Sequence, residues 1–165
     1  MWNPGDGGPV GSLTSHAWDA NFGRTHHMSA TTVYNVDVAS NASYDTLTRT
    51  TAFASTWNGT LNLKSIAGYT ATSGDSFQVL NYATGSSGDI TYTHDFGASF
   101  YVFATYGATA LTMNVQSSAG TVTGTAGTDV FQSTAANNTI DGGAGPDTFD
   151  LNGVQANYTM SRSEE

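Results

Sequence analysis

Gly142-Gly143-Ala144-Gly145-Pro146-Asp147-Thr148-Phe149-Asp150 fills every fixed position of the nonapeptide G-G-x-G-x-D-x-U-x, where U is a large apolar residue. Nine residues upstream, the unit Ser133 to Asp141 carries Asn138 at the aspartate position and Ile140 at U. Nine further upstream, Gly124-Thr125-Ala126-Gly127-Thr128-Asp129-Val130-Phe131-Gln132 again sets Gly, Gly, Asp and an aromatic in register. Units in phase are far harder to reach by accident than a single match. Glycines admit positive φ and leave carbonyl oxygens pointing inward, and each Asp adds a hard anionic oxygen. Ca2+, which takes about six to eight oxygen ligands, asks for that combination.

This part of the chain resembles the RTX repeats of secreted bacterial proteins. The resemblance implies a parallel β-roll in which each unit is a turn plus a short strand and two units make one coil. Turns 18 residues apart then stack on one side, and Asp129 and Asp147 are so spaced. The expectation is one Ca2+ between turns 124–129 and 142–147, held by Asp129, Asp147 and the carbonyls of Ala126, Gly143 and Gly145. Phe131, Ile140 and Phe149 would point into the coil. The other side, with Asn138 and no glycine in Ser133 to Asn137, is expected to bind weakly or not at all. The plain alternative is a Gly- and Asp-rich turn region that holds no metal.

Other constellations are weaker. Arg24-Thr25-His26-His27-Met28, with His16 upstream, offers imidazoles and a thioether, but adjacent residues of a strand point to opposite faces, so packing is the better reading. His94-Asp95 suggests a base and its orienting carboxylate. No G-x-S-x-G, H-E-x-x-H or P-loop accompanies it, and the only two Glu are the terminal Glu164 and Glu165. The chain is therefore expected not to be an enzyme. Tyr69, Tyr82, Tyr92, Tyr101 and Tyr106, with Trp2, Trp18 and Trp57, include candidates for a sugar-stacking platform, though core positions are the more economical reading.

The composition limits the elements that must position these groups. Among 165 residues there are 43 Ser and Thr, 19 Gly, one Lys and no Cys, and 10% of the chain is charged. Surface helix formers are nearly absent while β-branched, aromatic and turn residues abound, so an all-β protein is expected. With 38% hydrophobic residues the chain can bury a core. Thirteen acidic residues against four basic ones give a net charge of −9, which disfavours nucleic acid and anionic membranes. There are no disulfides or thiolate metal sites, and no apolar run suited to membrane insertion. From residue 116 onward, six carboxylates face only Arg162, so an ion-free fold there repels itself.

Three zones are expected: a loop-rich segment over 1–28, a β-rich body over 29–115, and repeats with a terminal strand over 116–165. In the body, Val33–Val38, Thr46–Thr48, Thr60–Lys64, Ser76–Leu80, Ile90–Thr93, Phe100–Phe103 and Ala110–Val115 read as strands. The order Tyr44-Asp45-Thr46-Leu47, Gly59-Thr60-Leu61-Asn62-Leu63, Gly68-Tyr69 and Gly74-Asp75-Ser76-Phe77-Gln78-Val79-Leu80 resembles the end of autotransporter and filamentous-haemagglutinin passengers. That resemblance implies that 33–115 form the last rungs of a parallel β-helix, or a β-rich cap on one. An antiparallel β-sandwich with a β-roll tail is the alternative.

The stretch Leu151 to Arg162 resembles the strand that follows RTX repeats in longer secreted proteins, where the chain continues; a fragment, a processed product or a divergent terminus is expected here. Together these features predict an extracellular or bacterial cell-surface segment with a structural or adhesive role. Ca2+ would stabilise it, and it would associate with itself or with neighbouring subunits. A glycan-binding or secretion-linked accessory module of an extracellular hydrolase is the alternative.

Overall fold

The computed structural model describes residues 12–15, 26–28, 30–49, 55–82, 86–87, 90–134, 137–151 and 159–160. Every regular element among them is a strand. The first ten are β1 (Ser12–Ser15), β2 (His26–Met28), β3 (Val33–Ser40), β4 (Ser43–Tyr44), β5 (Thr46–Arg49), β6 (Ser55–Trp57), β7 (Gly59–Ser65), β8 (Ser76–Asn81), β9 (Ser86–Ser87) and β10 (Ile90–His94). Then follow β11 (Phe100–Tyr106), β12 (Ala110–Ser117), β13 (Thr121–Thr123), β14 (Thr128–Gln132), β15 (Thr139–Asp141) and β16 (Thr148–Asp150). Each expected body strand is present, extended by a residue or more.

The chain returns to the same sheets in the same order. β1, β5 and β8 pair in parallel, as do β2, β6 and β9, and β3, β7 and β10. Equivalent residues stack from pass to pass. Leu13, Leu47 and Leu80 share one register position. Tyr34, Leu61 and Tyr92 share another, and Val36, Leu63 and His94 a third. Between the last two columns runs a polar one, in which Thr93 Oγ1 donates to Asn62 Oδ1 at 2.8 Å and Asn62 Nδ2 donates to Asn35 Oδ1 at 3.0 Å. Such a ladder satisfies side-chain amides that strand packing would otherwise strand away from water.

Parallel pairing is not continuous through the body. Only residues 107–109 separate β11 from β12, and Gly107 N donates to Ala110 O at 2.8 Å, so the two form an antiparallel hairpin. A parallel pair needs a crossover of a dozen or more residues, which this link does not provide. β12 lies antiparallel to β8 and β11 antiparallel to β14, giving a seven-stranded sheet in the order β1-β5-β8-β12-β11-β14-β16. It crosses residue 115, where the body was expected to end. β10-β7-β3-β4 form a second mixed sheet.

The larger core lies between these two sheets, with Val36, Leu61, Leu63 and Ile90 on one side and Phe77, Leu80, Leu111 and Met113 on the other. β11 is buried on both faces. Its period of two sends Val102 and Ala104 into the large core and Tyr101 and Phe103 into a smaller one with Val122 and Phe131.

Of the expected N-terminal segment, β1 and β2 fall within the described residues; His16, Trp18, Arg24 and the side chains of His26 and His27 lie outside them. So do Trp2, the side chain of Trp57, the stretch Asn152 to Tyr158, Arg162, Glu164 and Glu165.

Candidate metal centre

β13 pairs in parallel with β15, Val122 opposite Ile140, and β14 with β16, Phe131 opposite Phe149. This 18-residue register lays turn 142–147 on turn 124–129. Gly124 N donates to Asp141 O at 2.8 Å, Ala144 N to Thr125 O at 3.2 Å, and Asp129 N to Asp147 Oδ1 at 3.1 Å.

The approach is close enough to require glycine. A β-carbon on Gly124 would stand 2.0 Å from Gly142 O, and one on Gly143, whose φ is 81°, would stand 2.5 Å from Thr125 O. Gly145 lies over the first turn in the same way, its β-carbon position 2.5 Å from Gly127 O and 3.3 Å from Ala126 O. The carbonyl oxygens of Thr125, Ala126 and Gly127 therefore lie against the glycines of the second turn, too close for any side chain there.

The two aspartates sit in different surroundings. Asp129 is 0% exposed. Its Oδ2 accepts from Thr125 N at 2.6 Å, Thr125 Oγ1 lies 3.1 Å from both carboxylate oxygens, and Thr105 Oγ1 donates to Oδ1 at 2.5 Å. Asn114 Nδ2 donates to Thr105 Oγ1 at 2.8 Å, fixing that hydroxyl from behind. Asp147 is partly exposed and accepts from Asp129 N. Asp141, exposed at the entry to the second turn, accepts from Gly143 N at 3.1 Å.

Burial, then the like charges of Asp129 and Asp141, raise the Asp147 carboxyl above its ordinary range, partly offset by the bond from Asp129 N. The folded state thus holds the Asp147 proton more tightly than the unfolded chain does. Stability is gained as pH falls through this raised pKa and lost as pH rises through it. Asp75 has the opposite sign. Burial pushes it up, but bonds from Tyr69 and Thr72 outweigh that and leave it lowered, so its contribution is lost as pH falls. Asp75 is common to wild type and Asp147→Asn and cancels between them. Without divalent cations, the stability of wild type minus that of Asp147→Asn is expected to increase as pH falls toward the carboxylate range. Urea unfolding at several pH values measures this, and a difference that is flat or falls would refute the raised Asp147 carboxyl.

All five expected site residues, Ala126, Asp129, Gly143, Gly145 and Asp147, come together in the stacked turns. Phe131 is buried and Ile140 partly so, and Phe149 stacks on Phe131 from the same register position. β16 is the last strand of its sheet, which leaves Phe149 42% exposed. Sequence reasoning missed Thr105 and Asn114, because nothing local announces that β11 lies against β14. Thr125 was legible in principle, as a hydroxyl within the same turn. His94 and Asp95 do not pair through Nδ1: that atom is buried without a partner, and Asp95 Oδ1 accepts from Ser65 N at 2.7 Å. Tyr82, Tyr92 and Tyr101 are core residues whose hydroxyls donate to the carbonyls of Ala110, Val130 and Gln132.

No protein-family model matches the chain, and neither does any curated protein. Among the described residues no group of three His, Cys, Asp or Glu side chains is placed to hold a metal. Any cation at the two turns would therefore draw on backbone carbonyls as well as carboxylates, as hard-cation sites commonly do.

Proposed function

We propose that the chain is a non-enzymatic structural or adhesive segment of a secreted bacterial surface protein, and that one Ca2+ bridges its two stacked turns. Asp147 and the carbonyls of Ala126, Gly143 and Gly145 would hold the ion. Asp129 would join through the oxygens that now accept from Thr125. The ion would supply positive charge among three carboxylates and fasten the second turn to the first.

The observation that carries this reading is the 18-residue stacking, which sets Asp147 against the backbone of Asp129 and the carbonyls of Thr125, Ala126 and Gly127 against the glycines of the second turn. The like charges of Asp129 and Asp141, which add to burial in raising the Asp147 carboxyl, support it. In the same reading, the recurring parallel strands β1–β3, β5–β7 and β8–β10 are successive coils of a β-helix that the β11–β12 hairpin joins to a short β-roll. The shared register positions of leucine, aromatic and asparagine residues support that architecture. The core between two sheets supports the sandwich alternative. The edge strand β16 with its exposed Phe149 favours contact with a further subunit.

Calorimetric titration of Ca2+ into chelator-treated protein is expected to give one ion per chain with a Kd of about 10⁻⁴–10⁻³ M, the range of extracellular modules. Absence of saturable heat at millimolar Ca2+ would overturn the proposal.

A further inference from the structure

The first turn of the candidate centre rests on a residue from outside the repeats. Thr105 of β11 stands opposite Asp129 in the β11–β14 pairing. Its hydroxyl donates to Asp129 Oδ1 at 2.5 Å. Its methyl lies against Gly127, where an added β-carbon would come within 3.0 Å of it. One side chain of the hairpin thus touches both a carboxylate of the turn and the residue whose carbonyl lies against Gly145.

The hydroxyl has a fixed direction. Asn114, on the neighbouring strand β12, donates from Nδ2 to Thr105 Oγ1 at 2.8 Å. An amide NH2 group can only donate, so the hydroxyl accepts there and its own proton is directed to Asp129. The chain continues into the second turn, since Asp129 N donates to Asp147 Oδ1 at 3.1 Å.

The other contacts of the Asp129 carboxylate come from within its own turn, from Thr125 N and Thr125 Oγ1. Those are the contacts a cation would compete with. The bond from Thr105 is anchored in a different strand, whose Val102 and Ala104 are set in the large core, and it does not depend on how the turn closes. Hydrogen-bond partners of this kind orient metal-ligating carboxylates, and losing one typically costs about 10–100-fold in affinity.

We propose that Thr105, aimed by Asn114, is a positioning residue of the cation site: it holds the Asp129 carboxylate in place to receive Ca2+ without touching the ion. This role rests on the calcium reading and adds that the body of the protein, as well as the repeat, sets the affinity. The test is an NMR titration of Ca2+ into the chelator-treated full chain, following the amide signals of Gly143 and Gly145, which report the Kd of the folded protein whatever its stability. Thr105→Val keeps the branched shape and the methyl contact but has no proton to give, and is expected to weaken binding at least about tenfold. Thr105→Ser restores the donor and is expected to stay within about twofold of wild type, while Asn114→Ala, which leaves the hydroxyl undirected, weakens binding about three- to tenfold. Urea unfolding in chelator runs alongside, because a Thr105 that only props the turn would lower metal-free stability and leave Kd unchanged. A wild type whose signals do not shift would overturn the calcium reading and this role together. A wild type that binds while folded Thr105→Val binds equally, or a Thr105→Ser that falls as far as Thr105→Val, would overturn the role alone. If Thr105→Val does not fold, Asn114→Ala decides, and binding equal to wild type overturns the proposal.

Discussion

Asp129→Ala is expected to destabilise the calcium-free protein by about 2–4 kcal/mol, whereas Asp147→Ala should stay within about 1 kcal/mol of wild type. The motif places these two aspartates identically, but their surroundings differ. Asp129 is fully buried, and its carboxylate takes up Thr125 N and the hydroxyls of Thr125 and Thr105. Truncation leaves those donors without their acceptor, and an unmet buried donor costs about 1–3 kcal/mol. Threonine hydroxyls can rotate toward other acceptors, but the Thr125 amide cannot. Removing the Asp147 carboxylate forfeits the 3.1 Å bond from Asp129 N while relieving repulsion from Asp129 and Asp141. Urea unfolding in chelator measures both variants, and equal losses would contradict the asymmetry.

Phe131→Ala is expected to cost about 3–5 kcal/mol, the range of buried phenylalanine truncations. The Phe131 ring is 1% exposed. It stacks on Phe103 at 4.9 Å and 25°, and on Phe149 at 5.1 Å and 15°. Phe103 belongs to the hairpin strand that also supplies Val102 and Ala104 to the large core. Phe131 therefore fastens the repeat region to the body, and its loss opens a cavity between them. Phe149→Ala, at the exposed end of the stack, should cost about 1 kcal/mol by lost area alone. Denaturant midpoints rank the two, and a Phe131→Ala loss no larger than that of Phe149→Ala would refute the stack as the fastening element.

Strand positions were legible where one face is buried, because alternation marks the inward side. β7 shows this: the run Thr60–Lys64 is strand, with Leu61 and Leu63 fully buried and Thr60, Asn62 and Lys64 less so. The run Phe100-Tyr101-Val102-Phe103 lacks alternation, which is the pattern of a strand covered on both faces, and β11 is such a strand. The 18-residue register was legible because the repeat carries its own period. What local pattern does not encode is which distant strand lies alongside. The pairing of β11 with β14 brings Thr105 to Asp129 and makes it unlike Asp147. The antiparallel turn of the body at β11–β12 escaped for a related reason: its short link was visible, but the strand it would meet was not.

The most direct test of the calcium reading follows the melting temperature of chelator-treated protein as Ca2+ is added, in wild type and in Asp147→Asn. A ligand that binds only the folded state raises stability by RT ln(1 + [L]/Kd). Wild type is predicted to climb steadily once Ca2+ exceeds Kd, while Asp147→Asn stays flat. A wild type that does not respond, or a variant that climbs equally, would contradict a Ca2+ ion held between the two turns.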